Sequence, residues 1–159
     1  MYSSTLCLPV QTEGNSIKQI LLGMKKRGFG RGKYNGFGGK LEAGESVRAA
    51  AVRELREECG LTALEEDLEY AGKLLFVFPA NRDFDHDVDI FLVRRWRGEP
   101  RETEEMLTGW YSVKDIPYKE MWAGDIYWLP KILAGEKIRG RVVFADDNEG
   151  LQAVEITGE

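Results

Sequence analysis

The fold of this chain is decided by residues 39–61, which read GKLEAGESVRAAAVRELREECGL. Ser46 is suited to cap the N-terminus of a helix, the alanines favour its interior, and Gly60 suits a C-terminal cap. We therefore predict a helix from Ser46 to Cys59. Six glycines within residues 28–39 precede it, and they predict a long loop with unusual backbone angles.

The last turn and a half of this helix carries three acidic side chains, Glu54, Glu57 and Glu58. Their spacing of three and four places them on one face, at the end of the helix where the macrodipole disfavours negative charge. Arg53 and Arg56 are expected to project toward other sectors, so a divalent cation is the better compensation. Oxygen ligands without neighbouring cysteine or histidine indicate Mg²⁺ or Mn²⁺. A solvated acidic helix is the alternative, and the adjacent glycine loop argues against it.

The segment from Gly39 to Leu61 resembles a complete Nudix box, G-x5-E-x7-R-E-L-x-E-E-x-G-L. This resemblance implies an α/β (α+β) protein with the Nudix fold, an α/β/α sandwich with a mixed sheet and a loop–helix–loop catalytic motif. It also implies Mg²⁺-dependent cleavage of a nucleoside diphosphate linked to another moiety. By resemblance, Glu54, Glu57 and Glu58 are metal ligands or the catalytic base, and the carbonyl near Gly39 is a further metal ligand.

Further roles follow from the same resemblance. Arg53 would orient a glutamate through an ion pair, and Glu45 would help to hold the loop. Hydrolysis of a pyrophosphate linkage needs neutralised phosphate charge and an activated water, whose proton a carboxylate can accept. Which glutamate is the base stays open, and Glu105 is another candidate for a ligand or base. Lys25, just before the loop, is a candidate for contacting the phosphates.

Motifs outside the box resemble the MutT-like members of the family that hydrolyse oxidised purine nucleoside triphosphates. The motifs are residues 21–30, 34–40 and 116–122, followed by Asp125 and Tyr127-Trp128. A purine needs a flat apolar slot with polar groups at its edge, and the resemblance implies base contacts from Asn35, Trp122 and Asp125. The other candidate substrate-binding residues are Thr5, Lys25, Phe29, Gly38, Phe76, Met106 and Trp128, with Phe78 a further aromatic for the slot.

One departure concerns the segment Trp122-Ala123-Gly124-Asp125. Mammalian members of this branch carry a pair of aspartates here, and Gly124 replaces the first. The loss removes an edge contact worth roughly 1–3 kcal/mol, which bears directly on substrate breadth. Tyr34 in place of a tryptophan is a milder change. His86, flanked by Asp85 and Asp87, is expected at the surface near the pocket mouth, without a catalytic role.

These residues lead to three hypotheses for function. The first is Mg²⁺-dependent hydrolysis of a purine nucleoside triphosphate, of the oxidised 8-oxo-dGTP type, to the monophosphate and pyrophosphate, a nucleotide-pool sanitising reaction. The second is hydrolysis of another nucleoside diphosphate derivative, such as ADP-ribose, a dinucleotide or a cap. The third is a catalytically silent module that binds nucleotide or RNA. Such modules typically lack box acids, all of which are present here.

The composition limits the number of domains, the kinds of partner and the compartments that we expect for this chain. The chain has 159 residues and a formal charge of −5, which suits one domain over residues 1–159 and argues against binding long nucleic acid. No apolar run approaches the roughly 20 residues of a membrane helix, and the N-terminus lacks signal-peptide order. Cys7 and Cys59 are expected to be free. We therefore expect a cytoplasmic monomer whose partner is a small nucleotide.

The remaining elements are read from apolar runs. Strands are predicted at residues 5–8, 17–24, 74–78, 88–93 and 110–113, with weaker candidates at 139–145 and 152–156. A second helix is predicted at residues 126–133, where Pro130 requires either a first-turn position or a kink. Strands outnumber helices, so the pattern indicates a mixed sheet.

Overall fold

Eight strands and two helices follow one another along residues 1–159, all of which the computed structural model describes. The strands are β1 (Tyr2–Glu13), β2 (Ser16–Lys25), β3 (Tyr34–Asn35), β4 (Leu68–Val77), β5 (His86–Val93), β6 (Met106–Ser112), β7 (Ile138–Phe144) and β8 (Leu151–Gly158). The helices are α1 (Val47–Cys59) and α2 (Asp125–Leu133). Every predicted element is present, and β3 is an addition that the sequence pattern did not indicate.

All eight strands belong to one mixed sheet. Seven of them run in the order β3-β2-β1-β5-β4-β7-β8, and β6 also pairs with β2. The pairs β1–β5 and β4–β7 are parallel, and the others are antiparallel. This arrangement places the first residue of β5 between the start of β1 and the end of β4, which matters for the site described below.

The two helices cover opposite faces of this sheet. Successive side chains of a strand point to opposite faces, and β1 shows the consequence. Leu6 and Leu8 pack in one hydrophobic core with Trp128 of α2. Cys7, between them, packs in a second core with Leu55 of α1. The layers are therefore helix, sheet and helix, which confirms the predicted α/β/α sandwich.

Helix α1 begins and ends where its capping residues predict. The Ser46 side chain accepts a 3.1 Å hydrogen bond from the N–H of Ala49. At the other end, Gly60 adopts a left-handed φ of 82° and donates its N–H to the carbonyl of Arg56. Left-handed backbone costs little only for glycine, so Gly60 fixes the helix end directly after the acidic turn.

Pro130 lies inside α2, as the sixth residue of a nine-residue helix. The first-turn position that the sequence suggested for it is therefore wrong, because the helix starts at Asp125. A proline has no N–H to donate to the carbonyl four residues earlier, that of Ile126, and Ile126 lies on the exposed side of the helix.

Neither α1 nor α2 combines the length and the apolar character that a bilayer-crossing helix requires.

Candidate active site

A cavity of about 510 Å³ lies between the glycine-rich loop, the sheet and the start of α2. Thirteen of the predicted site residues line it: Thr5, Lys25, Phe29, Asn35, Gly38, Gly39, Glu58, Phe76, Phe78, Met106, Trp122, Asp125 and Trp128. The other predicted residues, Arg53, Glu54, Glu57 and Glu105, lie outside its lining. The cavity thus brings together the whole predicted base pocket with one of the three acids of the helix.

The glycine-rich loop passes very close to β1 and α1. A Cβ added at Gly38 would lie 1.7 Å from the carbonyl oxygen of Thr5, and one added at Gly39 would lie 2.6 Å from Oε1 of Glu54. The N–H of Gly38 donates to Oε1 of Glu58 at 2.7 Å. At Gly38 only glycine fits, because the contact is with backbone, and at Gly39 any side chain would displace the carboxylate of Glu54. The loop backbone therefore lies directly against the acidic turn.

Glu58 is a buried carboxyl at the floor of this loop. It is 7% exposed, and burial raises its pKa to about 8, because the desolvation exceeds the lowering by the N–H of Gly38; nearby Glu54 adds a smaller increase. Burial likewise raises the pKa of Glu54. Burial therefore destabilises the charged form of two neighbouring carboxyls, and a nearby positive charge would favour that form.

Arg53 binds the other acids of the motif. Its Nε and Nη2 donate to the two carboxylate oxygens of Glu45 at 2.7 and 2.9 Å, and Nη1 donates to Glu54 at 2.9 Å. Nη1 also lies 3.3 Å from Glu57. The expectation that Arg53 points away from the acids is wrong, because its long side chain folds along the helix surface. Arg56, by contrast, is exposed.

The oxygen atoms that could bind a divalent cation are those of the acidic turn and of the Gly39 carbonyl. No group of three or more histidine, cysteine, aspartate or glutamate side chains is arranged to hold a metal ion. Glu54 is bound to Arg53, Glu58 to Gly38, and the carbonyl of Gly39 accepts from the N–H of Thr5 at 3.0 Å. The chemistry nevertheless fits: hard carboxylate and carbonyl oxygens are the ligands that Mg²⁺ prefers.

Glu105 forms an ion pair with Arg27, and neither residue lines the cavity. Its carboxylate accepts from Nη2 of Arg27 at 2.5 Å. That hydrogen bond holds the pKa of Glu105 below its usual value. A carboxylate committed to arginine in this way is less available as a proton acceptor than Glu58.

Aromatic rings form one wall of the cavity. Phe29 stacks on Phe84 at 3.9 Å and tilts against Trp122 at 5.1 Å. Phe78 and Phe144 stack at 4.5 Å, and Phe144 also meets Trp122 edge-on at 5.4 Å. Sequence reasoning missed Phe84 and Phe144, because a short turn and the far end of β7 bring them to the cavity. The result is the flat apolar slot that a purine base requires.

Two buried polar atoms in this cavity have no partner in the protein. They are Oγ1 of Thr5 and Oδ2 of Asp125, on side chains only 2% exposed. The other oxygen of Asp125 accepts from Nε1–H of Trp128 at 3.2 Å, and burial raises the pKa of Asp125 to about 7. Buried polar groups are nearly always paired, so both atoms indicate hydrogen bonds to a ligand.

His86 also lies in the cavity wall, half-buried, and the expected surface position is wrong. The flanking Asp85 is not a solvated acid but a buried one, which accepts from the N–H of Phe78 at 2.7 Å and pairs with Arg82. Its charge is used to close the turn before β5. The expected place near the pocket agrees with the position of His86 in the cavity wall.

Lys33 links the loop to the C-terminal hairpin. Its Nζ lies 4.9 Å from the centre of the Trp122 ring and 2.7 Å from Oε2 of Glu149. Glu149 lies in the turn between β7 and β8. The hairpin beyond α2 thereby contacts the cavity through both Phe144 and this ion pair, a role that the sequence did not indicate.

Known proteins resemble this chain over most of its length. The NUDIX domain family matches residues 3–132. The oxidized purine nucleoside triphosphate hydrolase of Danio rerio is 45% identical over 126 residues, 79% of each protein. Its namesake in Mus musculus is 40% identical over 144 residues, 91% of this chain and 87% of the mouse protein. The crystal structure of a MutT protein from Bacillus halodurans superimposes with a TM-score of 0.81 at 25% identity, covering 98% of this chain and 97% of that one.

Proposed function

The chain belongs to the Nudix family of hydrolases, and we propose that it hydrolyses a purine nucleoside triphosphate of the oxidised, 8-oxo-dGTP type. The products are the nucleoside monophosphate and pyrophosphate. The relatives from Danio rerio and Mus musculus carry the name of this activity. Removal of oxidised nucleotides from the precursor pool is the corresponding cellular role.

One observation supports the proposal above all others. A single cavity joins the aromatic slot and the unpartnered Asp125 to the glycine-rich loop and Glu58. A purine placed between the rings can meet Asp125 with its polar edge, while its phosphates extend toward the loop. The cavity therefore has one end suited to a base and another suited to phosphate chemistry.

At the base end, Asp125 and Asn35 are the polar groups. With a pKa of about 7, Asp125 is available in both protonation states near neutrality, so it can donate to or accept from a base edge. Oδ1 of Asn35 accepts from the N–H of Gly36 at 2.8 Å, which leaves its amide hydrogens free to donate. Trp122 supplies the stacking surface between them.

At the phosphate end, Glu54, Glu57, Glu58 and the carbonyl of Gly39 would hold a divalent cation, Mg²⁺ or Mn²⁺. Nudix hydrolases generally need such an ion, which supplies phosphate-charge neutralisation and a lowered pKa for the attacking water. Lys25, which lines the cavity, adds a fixed positive charge toward the phosphates. Glu58 is the acid of the three that reaches the cavity, so we assign it the contact nearest the reacting phosphorus.

The setting completes the proposal. We place the activity in a single domain of 159 residues, because β7 and β8 extend the same sheet and Phe144 of β7 lines the cavity. Both cysteines are free and buried, which suits a reducing, cytoplasmic compartment. We propose that the protein is a monomer, which light scattering on the purified protein tests.

A nucleotide panel tests the activity. We expect 8-oxo-dGTP to be hydrolysed with a higher kcat/KM than dGTP, with release of pyrophosphate rather than orthophosphate, and only with Mg²⁺ or Mn²⁺ present. The panel includes ADP-ribose, a dinucleotide and a capped RNA. If 8-oxo-dGTP is turned over no better than dGTP or ADP-ribose, the proposed substrate is wrong. No turnover of any compound with either metal would contradict the proposed hydrolysis itself.

A further inference from the structure

His86 is the only histidine of the chain and the first residue of β5. The sheet register pairs it with Tyr2 on β1 and with Phe76 on β4. Its ring stacks on Tyr2 with 4.8 Å between centroids and on Phe76 with 5.3 Å. The imidazole is therefore fixed between two aromatic rings, in a strip that crosses three neighbouring strands within the cavity wall.

A backbone contact determines which nitrogen of His86 carries hydrogen. Nδ1 lies 2.7 Å from the carbonyl oxygen of Phe84. A carbonyl only accepts hydrogen bonds, so Nδ1 is the protonated nitrogen. Burial lowers the pKa of His86, which keeps the ring neutral near pH 7. Nε2 consequently carries a lone pair and acts as an acceptor.

Nε2 has no hydrogen-bond partner in the protein, and it is not sealed from solvent. It lies on the opposite side of the ring from Nδ1, which faces the backbone of Phe84, so Nε2 points away from that backbone. A phenylalanine would stack between Tyr2 and Phe76 equally well. Nε2 of His86 is thus a hydrogen-bond acceptor with a fixed orientation. Neither the stacking of the ring nor the fold requires an acceptor at this position.

We propose that Nε2 of His86 accepts a hydrogen bond from an N–H group of the bound purine and thereby makes His86 a specificity-determining residue. This inference rests on the proposed function, because it takes a purine nucleotide as the occupant of the cavity. An acceptor distinguishes bases by simple chemistry. An 8-oxopurine has a hydrogen on N7, where an unmodified purine has a lone pair, and guanine has a 2-amino group that hypoxanthine lacks.

The expected discrimination follows from the cost of an unpaired acceptor. A site that hydrogen-bonds a substrate N–H disfavours an analogue without it, since the bound base covers the acceptor and leaves it with neither water nor a partner. The pair 8-oxo-dGTP and dGTP tests N7–H, and the pair dGTP and dITP tests the 2-amino group. In His86→Phe, which keeps the stacked ring, we expect the kcat/KM ratio of one pair to fall about 5- to 100-fold.

His86→Gln is the matched variant, because its amide oxygen restores an acceptor near the position of Nε2. We expect it to recover part of the ratio that His86→Phe loses. Circular dichroism and the unfolding temperature check that both variants are folded. Unchanged ratios for both pairs in His86→Phe would overturn the proposal, even if kcat/KM fell equally for all three nucleotides.

A second measurement needs neither a variant nor turnover. Because the chain has one histidine, the ¹⁵N spectrum of the wild-type imidazole contains a single pair of resonances. We expect 8-oxo-dGMP or dGMP to shift the Nε2 resonance toward a hydrogen-bonded value and to leave Nδ1 almost unchanged. Saturation, followed by tryptophan fluorescence, without an Nε2 shift for either nucleotide would overturn the proposal. A wild-type enzyme that prefers dGTP to 8-oxo-dGTP would refute only the proposed substrate, since dITP and dGMP still test His86.

Discussion

Glu58 accepts a 2.7 Å hydrogen bond from the backbone N–H of Gly38, which lies 20 residues earlier in the chain. This contact joins the end of the acidic helix to the glycine-rich loop. It also explains why a buried carboxyl is tolerated there, since the N–H partly offsets the desolvation that raises the pKa of Glu58. The fold uses one oxygen of this side chain, and the other is free for chemistry.

The first prediction concerns the substitution Glu58→Gln. The glutamine keeps an oxygen for the N–H of Gly38 but loses the negative charge and the ability to accept a proton. We expect kcat to fall about 10²- to 10⁴-fold, with an unfolding temperature no lower than that of the wild type. Glu66→Gln, at an exposed acid outside the cavity, is the control and should retain activity. Wild-type turnover in Glu58→Gln would refute the assignment of Glu58.

The second prediction concerns Arg53, whose guanidinium binds Glu45 through two nitrogens while also reaching Glu54. A lysine has the same charge but cannot reproduce a forked contact. We expect Arg53→Lys to lower kcat/KM at least tenfold, because Glu54 and the loop lose their fixed positions.

Arg56→Lys is the matched control for this experiment. Arg56 lies on the same helix but is exposed, so the same chemical change should leave kcat/KM within about twofold of the wild type. Equal losses in the two variants would mean that helix charge, and not the contacts of Arg53, is responsible.

The sequence predicts helix α1 well because the signals are local. Ser46 and Gly60 mark its ends, and the spacing of Glu54, Glu57 and Glu58 defines one face without any knowledge of the rest of the chain. The path of the Arg53 side chain is not local in this sense. It depends on Glu45, which the loop brings back to the helix, so the pattern alone could not predict it.

The cavity wall shows the same limit more clearly. Phe76 and Trp122 are recognisable from motifs, whereas His86 and Phe144 enter the cavity through strand register. β5 lies between β1 and β4, and β7 lies beside β4. These pairings join residues far apart in sequence, and apolar runs do not encode which strands become neighbours. The polar flank of His86 even suggested the opposite environment.

The third prediction concerns the pH dependence of stability that Asp125 introduces. Its pKa is about 7 in the folded protein against an ordinary value of 3.8, so the folded state binds the proton more tightly. The stabilising contribution is complete below pH 3.8 and is lost as the pH rises through 7. At about 1.4 kcal/mol per pKa unit, the loss amounts to about 4 kcal/mol.

Urea unfolding of the wild type and Asp125→Asn between pH 5 and pH 8 measures this effect. Asparagine keeps an oxygen for the indole N–H of Trp128 but does not titrate. We expect the free energy of unfolding of the wild type, relative to the variant, to decrease from pH 5 to about pH 7 and then to level off. A constant difference from pH 5 to pH 8 would show that Asp125 keeps an ordinary pKa.

The fourth prediction concerns Gly124, where the resemblance to MutT-like members implies an aspartate. Its φ of −77° and ψ of −15° suit any residue, so the backbone is not the obstacle. A Cβ at this position would lie 2.7 Å from Cγ1 of Val142, a fully buried residue. We therefore expect Gly124→Ala to destabilise the protein by about 1–3 kcal/mol through overpacking.

Val142→Ala removes the atom that a side chain at position 124 would meet. A double-mutant cycle should consequently give a favourable coupling energy between Gly124→Ala and Val142→Ala of about 0.5–3 kcal/mol. If the two changes are additive, the contact with Val142 does not explain the glycine.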